Sequence, residues 1–451
     1  VKVIREGLGR LVMEHRRADD GVAVLYSPAS MLLASLEDEE NGFWDSAASV
    51  PIVWQETLFQ YRMLAEEEVE KGALRSGKYR VLYLPYAQAI SGPAADEILT
   101  FARGGGVVMA DLRPGVADGK GKQLAKGSLD DLFGVKQETG EWKPARAKVL
   151  LTNADLAGVF GLFPEITTDG TVTLTDGQAL GEAGGVPVVI VHPFGSGSGI
   201  LLNMKLVDYV RSARDSIARF RGEEEAEKTR DLFLALLRRV GVEPPVELVP
   251  YVPGCHVHRF EAGEARLFGV LWDAPSFLPG APVLEPFDPQ RGEENARALA
   301  EVAAQRRNVT LTLRAPAHVY DALRGKYEGF LQDVEMEVRP GVPNLFAALP
   351  YRVKAIRIAV EERRLAPGDT LRFAVACETE SGRATAKHVY RVEFEDPAMK
   401  AADRYTFHVA AEGGAAQCEV PLAFNDRTGK WKIKVRDLAT GVKGDAAFEV
   451  R

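Results

Sequence analysis

Between Val22 and Ala110 the sequence sets down three short apolar runs, each followed by a turn and a stretch of helical period, and beyond Val249 that helical period all but vanishes. The change of period constrains the fold more than any single motif: an α/β portion must come first and a mainly β portion after it. The first run, Val22-Ala23-Val24-Leu25-Tyr26, is apolar at every position, as a strand buried on both faces is, and it runs into the turn Ser27-Pro28. The second, Val81-Leu82-Tyr83-Leu84, leads to Ser91-Gly92-Pro93, where Pro93 suits the first turn of a helix carrying Ala95, Ile98, Leu99 and Ala102. Gly104-Gly105-Gly106 ends that helix, and Val107-Val108-Met109-Ala110 is the third run. Residues 53–71, with Trp54, Leu58, Tyr61, Ala65 and Val69 at helical spacing, predict a further helix whose acidic end, Glu66, Glu67, Glu68 and Glu70, is a solvated face. Strands separated by helices predict a doubly wound α/β sheet of flavodoxin-like type.

The period-two stretch Thr171–Thr175 predicts antiparallel embellishment of that sheet. The strand Val188–Val191, the cluster Gly195-Ser196-Gly197-Ser198-Gly199 and the strand Ile200–Asn203 read as a hairpin, and a helix over Lys228–Val240 closes the domain at Pro244-Pro245. The chain has 451 residues, about three times the common domain size, so further domains must follow. The expected division is 1–247 for the α/β domain, 248–358 for a mainly β domain with strands such as Ala265–Trp272 and Val309–Leu313, and 359–451 for an immunoglobulin-like sandwich. That last assignment rests on strict alternation: Leu371, Phe373, Val375 and Cys377; Tyr390, Val392 and Phe394; Tyr405, Phe407 and Val409; Trp431, Ile433 and Val435. Lys430, Lys432, Lys434 and Arg436 occupy the outward positions between the last set.

Fifty-six basic and 64 acidic residues leave a net charge of −8, which gives no attraction to nucleic acid or to an anionic membrane. Apolar runs such as Val186–Val191 fall far short of the roughly 20 residues that span a bilayer. Cys255, Cys377 and Cys418 form no CxxC pair; Cys377 and Cys418 could pair, though nothing demands it. His256 and His258, two apart on one strand, turn both imidazoles to one face with Cys255 adjacent, but no third ligand stands at a recognisable spacing, so no metal and no cofactor is expected. The glycine cluster at 195–199 lacks the Lys-Ser/Thr of a phosphate loop and precedes an apolar strand where a nucleotide site needs a helix. A sheet of this kind invites a nucleophile elbow after its strand, yet Pro85-Tyr86-Ala87-Gln88-Ala89 offers no thiol or hydroxyl nucleophile beside a histidine, so no catalytic residue is assigned. Tyr86 and Gln88 are read as packing at the sheet edge. Phe43 and Trp44 adjoin the acidic loop Glu37–Gly42 and are the candidate binding residues, as aromatic anchors for a partner or a sugar, against the alternative that both tuck back onto their own domain.

The run from Tyr79 to Ser91 and the run from Asp96 to Val116 together resemble the trimerization domain of glycoside hydrolase family 42 β-galactosidases, and the likeness extends over roughly residues 20–245. That domain is similar to a class I glutamine amidotransferase without its nucleophile, which agrees with the empty elbow. The resemblance implies a homo-oligomer or a partnership with an upstream catalytic (β/α)8 barrel, and a possible carbohydrate partner. The barrel carries both catalytic glutamates in that family, and no eightfold strand-helix alternation occurs in these residues, so neither glutamate is carried over to a position here. The chain opens Val1-Lys2-Val3 without methionine, and a preceding segment is expected. The last domain, with Ala366-Pro367-Gly368-Asp369 and Gly429–Gly441, looks like the macroglobulin or immunoglobulin-type modules of large exported bacterial proteins, which favours an extracytoplasmic location. The resulting expectation is a non-catalytic C-terminal portion of a β-galactosidase-like glycoside hydrolase, acting in oligomer assembly and support of a carbohydrate-active site. An exported scaffold or adhesive protein and a sugar-processing enzyme using the α/β cleft are the alternatives.

Overall fold

The structure, a computed structural model, describes residues 4–36, 42–140, 144–151, 165–205, 223–273, 300–301 and 303–451. These fall into two compact units, one drawn from 19–256 and 273–305, the other from 1–18, 257–272 and 306–451. The described residues are mostly β, arranged in several sheets.

The unit containing residues 19–256 is built on one sheet whose strands run, edge to edge, Tyr61–Ala65, Val22–Tyr26, Val81–Leu84, Val107–Ala110, Gly197–Leu202, Val186–Phe194, Gln178–Ala183, Pro144–Leu151 and Glu165–Asp169. The first five pair in parallel and the rest antiparallel. Side chains alternate across a strand, and the two sets go into different cores. Val22, Val24, Val81, Tyr83, Val107, Met109, Ile200 and Leu202 face Val50, Val53 and Trp54 of the helix Gly42–Glu56 and Leu232, Phe233 and Leu236 of the helix Glu223–Arg239. Ala23, Leu25, Leu82, Leu84, Val108 and Ala110 face Ala94, Ala95, Ile98 and Ala102 of the helix Gly92–Arg103. Ser91 starts that helix by accepting from the Ala94 amide at 3.2 Å, with proline in the first turn.

Three expectations need correction. Residues 53–71 are not one helix: it ends at Glu56, Leu58 takes a positive φ of 62°, and Tyr61–Ala65 becomes the edge strand beside Val22–Tyr26, followed by a single helical turn, Glu66–Glu70. Edge pairing with an already formed parallel strand outweighs the helical spacing, which was the weaker signal over so short a run. The acidic run is only partly solvated, because Glu66 is buried and accepts from the Ser91 amide at 2.8 Å. Within 171–175 only Thr173–Leu174 is extended, pairing with Val135–Lys136. The glycine cluster is the tip of the Val186–Phe194/Gly197–Leu202 hairpin, with Phe194 opposite Gly197.

In the other unit, Arg16–Arg17, Cys255–Ala262, Ala265–Trp272, Asn344–Leu349 and Arg307–Asp321 form neighbouring strands of one sheet, with Lys326–Val338 hairpinned onto Arg307–Asp321. Residues 353–450 fold into two facing sheets. One contains Val353–Val360, Thr370–Thr379 and Ala415–Pro421; the other runs Arg364–Leu365, Lys443–Val450, Gly429–Asp437, His388–Glu395 and Phe407–Ala411. Phe373 of the first meets Phe394 of the second edge-on, with ring centroids 6.3 Å apart. One continuous core joins Leu11, Leu267, Tyr320 and Leu349 to Val375, Trp431 and Val450, so residues 4–18, which the sequence reading assigns to the α/β domain, pack with these β strands. Cys418 pairs with Phe373, four residues from Cys377 along that strand. The separation is about 13 Å at strand spacing, too far for a disulfide, and both thiols are free and buried.

Candidate functional site

In a sheet with parallel strands, ligands and reacting groups gather at the carboxyl ends. At that edge Val81–Leu84 turns through Pro85 into Tyr86, which holds a positive φ of 44° and is 1% exposed. A tyrosine in the left-handed region is strained, roughly 1–3 kcal/mol for such a residue, and persists only where its surroundings fix it. Here they do. The Tyr86 amide donates to Asp111 Oδ1, the residue that directly follows the strand Val107–Ala110, and the Ser46 hydroxyl donates to Asp111 Oδ2 at 2.7 Å. The Tyr86 ring packs with Ala34, Phe43 and Leu112. The following backbone is pinned as well, since Ser27 Oγ and Ser30 Oγ each donate to the Ala89 carbonyl at 2.9 Å.

Asp111 has no exposed surface, and burial lifts its carboxyl from the usual 3.8 to about 7 against the opposing bonds from Ser46 and the Tyr86 amide. The neighbouring Tyr83 phenol is raised well above its ordinary value, by burial first and by the Asp111 charge second. Two residues beyond Asp111, Arg113 also takes a positive φ, 54°, and its buried guanidinium donates to Asp169 Oδ2 at 2.9 Å, the Glu138 carbonyl at 3.1 Å and the Gly140 carbonyl at 2.8 Å. This ties the parallel half of the sheet to the antiparallel half through a charge pair that breaks only at high cost.

Chemically, the elbow position is occupied by a buried phenol ring and the carboxyl beside it serves as a hydrogen-bond hub. Of the described histidines in this unit, His192 is engaged elsewhere, 3.1 Å from the Leu132 carbonyl and 3.3 Å from Asp176. Glycoside hydrolysis needs two carboxyls flanking a sugar, and Asp111 lies sealed beneath Ser46 and Tyr86.

Phe43, a candidate anchor with the alternative of tucking back onto its own domain, takes the second course: it is 5% exposed and packs on Tyr86 and Leu112, because the start of the helix Gly42–Glu56 folds back over the strand ends. Trp44 sits on the same helix with its side chain outside the described residues, as are residues 37–41 of the acidic loop. Gln88 is buried. Cys255 is buried and its thiol is pushed up to about 12, by burial and then by Glu56, so it is not a thiolate near neutrality. Among the described residues no group of three or more His, Cys, Asp or Glu is placed to hold a metal ion, and no helix is long and apolar enough to cross a membrane. Sequence reasoning missed Ser46, Asp111, Arg113 and Asp169; the available signal was the position of Asp111 and Arg113 directly after a parallel strand.

No curated protein matches the chain in sequence. Among solved structures, the β-galactosidase from Bacillus circulans sp. alkalophilus superposes over 77% of this chain at 15% identity with a TM-score of 0.54, and the catalytic mutant of a GH42 β-galactosidase from G. stearothermophilus over 74% at 13% identity with a TM-score of 0.50. The chain spans 44% and 40% of those two proteins, with which it shares a fold. Residues 362–450 match the MG2 domain, an immunoglobulin-like module, in agreement with the two facing sheets found there.

Proposed function

We propose that this chain is a non-catalytic portion of a β-galactosidase-like glycoside hydrolase, in which an amidotransferase-like α/β domain serves oligomer assembly and supports a carbohydrate-active site carried elsewhere. The observation behind this reading is the closed elbow: Tyr86 fills the position a nucleophile would take, and Asp111 beneath it has no exposed surface. A domain that keeps such a sheet while closing its reactive edge has surface left to offer, and the fold it shares with β-galactosidases supplies the setting. Trp44 is retained as a contact residue of that surface. The purified chain is expected to turn over no aryl galactoside, and to self-associate or to bind a family 42 barrel in sedimentation velocity experiments. Galactosidase turnover abolished by changing an acid of this chain would refute the non-catalytic role; a monomer under all conditions, with no barrel bound, would refute the assembly role.

A further inference from the structure

On the outer face of the five-stranded sheet in residues 364–450, charges stand in rows across neighbouring strands, and most rows alternate in sign. Lys430 lies opposite Glu449, Lys432 opposite Glu395, and Lys434 between Glu393 and Asp445. The diagonals are used too: Lys434 pairs with Glu395, and Lys432 with Asp445 at 3.2 Å. The next row breaks the rule. Arg391, Arg436 and Lys443 stand directly opposite one another on three adjacent strands, with His408 beside Arg391 on a fourth. Like charges at directly opposed positions work against the sheet.

Local compensation is incomplete. Arg391 Nε donates to Glu393 at 2.7 Å, but the remaining reach of Arg391 and Arg436 is to the main-chain carbonyls of Arg5 and Glu6, each at 3.5 Å, the long limit of a hydrogen bond. Among the described residues no carboxylate lies within ion-pair distance of Arg436 or Lys443. The three cations, with Lys434 of the next row, line a cavity of about 430 Å³ whose walls also carry the carboxylates of Glu6, Glu393 and Asp445, of which Glu393 is taken up by Arg391.

We propose that this cavity binds a tetrahedral oxyanion, sulfate or phosphate, either free or as an ester on a sugar. Arg436 and Lys443 supply the charge, and the forked guanidiniums of Arg436 and Arg391 supply donors from two strands toward separate oxygens, a match of geometry as well as of sign. A bound oxyanion would bring to this row the alternation that the adjacent row Glu393, Lys434 and Asp445 already has.

The test uses the full chain. Thermal unfolding in sodium sulfate is compared with sodium chloride at equal ionic strength, and titration calorimetry is run with inorganic sulfate, with a hexose sulfate and with the neutral hexose. Sulfate should raise the midpoint saturably beyond the chloride effect. The double variant Arg436→Gln/Lys443→Gln should bind roughly tenfold more weakly or not at all, while its midpoint in chloride stays level or rises because the opposed like charges are gone. Lys430→Gln, with the same sign of charge change outside the row, should leave binding intact. Equal affinity for inorganic and sugar sulfate identifies the free ion as sufficient, and tighter binding of the ester identifies a sugar as the carrier. The proposal is overturned if sulfate acts no differently from chloride, if the double variant binds as the wild type does, or if the neutral hexose binds as well as its sulfate.

Discussion

Two buried titratable groups couple the protonation of this molecule to its stability, and the sign is the same for both. Asp111 carries a carboxyl raised from 3.8 to about 7 in the fold, so its contribution is fully present below about pH 4 and is lost as the pH climbs through 7. Asp111→Asn removes that slope. Urea unfolding at about pH 5 and about pH 8 should show the variant gaining on the wild type at the higher pH, and an unchanged difference would contradict the assignment. In the β unit His388 and Asp437 form an ion pair at 3.2 Å with neither side chain exposed. The Tyr351 hydroxyl sits 3.0 Å from the other ring nitrogen, and Thr440 donates to Asp437. Burial alone would push the imidazole down, but Asp437 more than reverses it, and the folded value stands well above 6.5. The pair therefore contributes fully below about pH 6.5 and fades as the pH rises through that higher value. Asp437→Asn leaves the His388 ring buried without its counter-ion and should cost about 3 kcal/mol near pH 6, less in more alkaline buffer; a pH-independent cost would mean that the ring is neutral in the fold.

At the level of elements, the glycines of the Val186–Leu202 hairpin show what a sequence can and cannot tell. Their clustering marked a turn, and the turn is there, but the reason for so many small residues lies in what packs on them. A methyl group on Gly197 would come within 2.1 Å of the Gly106 carbonyl and 2.4 Å of the Ala102 carbonyl at the end of the Gly92–Arg103 helix, and one on Gly199 within 2.3 Å of the Leu132 carbonyl. Gly197→Ala or Gly199→Ala should lower stability by about 2 kcal/mol or more, whereas Gly92→Ala, with open space around it, should be neutral or slightly stabilising. Calorimetric unfolding of the three variants checks the contrast. Continuous apolar runs such as Val81–Leu84 identified the strands because burial on both faces leaves no polar alternation, and Trp431, Ile433 and Val435 identified a sandwich strand by the opposite pattern. The edge strand Tyr61–Ala65 is not legible in the sequence because its neighbour, not its composition, decides its conformation. The turn after Val81–Leu84 is half legible: its residues Pro85–Ala89 and their place behind a parallel strand can be read from the sequence, but the positive φ of Tyr86 and its amide bond to Asp111 depend on contacts across 25 residues of chain.

Across the whole molecule the division into units does not follow chain order, because residues 4–18 belong with strands that begin at 257. Leu11 is fully buried in the β core, Arg16 and Arg17 pair with Glu261 and Phe260, and Lys387 reaches Glu14 at 2.7 Å. Removing residues 1–18 should therefore lower the unfolding midpoint of the β strands and leave the α/β unit as it was, which residue-resolved hydrogen exchange can measure; loss confined to the α/β unit would contradict the assignment. Proteolytic nicking just after Ala18 should leave the excised peptide bound until denaturant is added. Within the α/β unit, Glu56 accepts from the Tyr251 hydroxyl and from the Gly254 amide at 2.9 Å. These bonds hold the connection after Pro244-Pro245, and Glu56→Gln should speed cleavage there.

This non-sequential arrangement also dictates an order of events during synthesis. The α/β residues emerge from the ribosome as an almost uninterrupted stretch and can collapse on their own, since their strands meet partners already made. The leading segment cannot: the residues that will cover Leu11 emerge more than two hundred positions later. Joining Arg16 to Glu261 through an unfolded intervening chain would carry a closure entropy of roughly 5 kcal/mol, and prior collapse of the α/β unit shortens that effective loop. Until then Leu11 waits without its strands, so the α/β unit acts on the nascent chain as a built-in tether, and slowing its folding should delay the β unit even though none of its contacts there have changed.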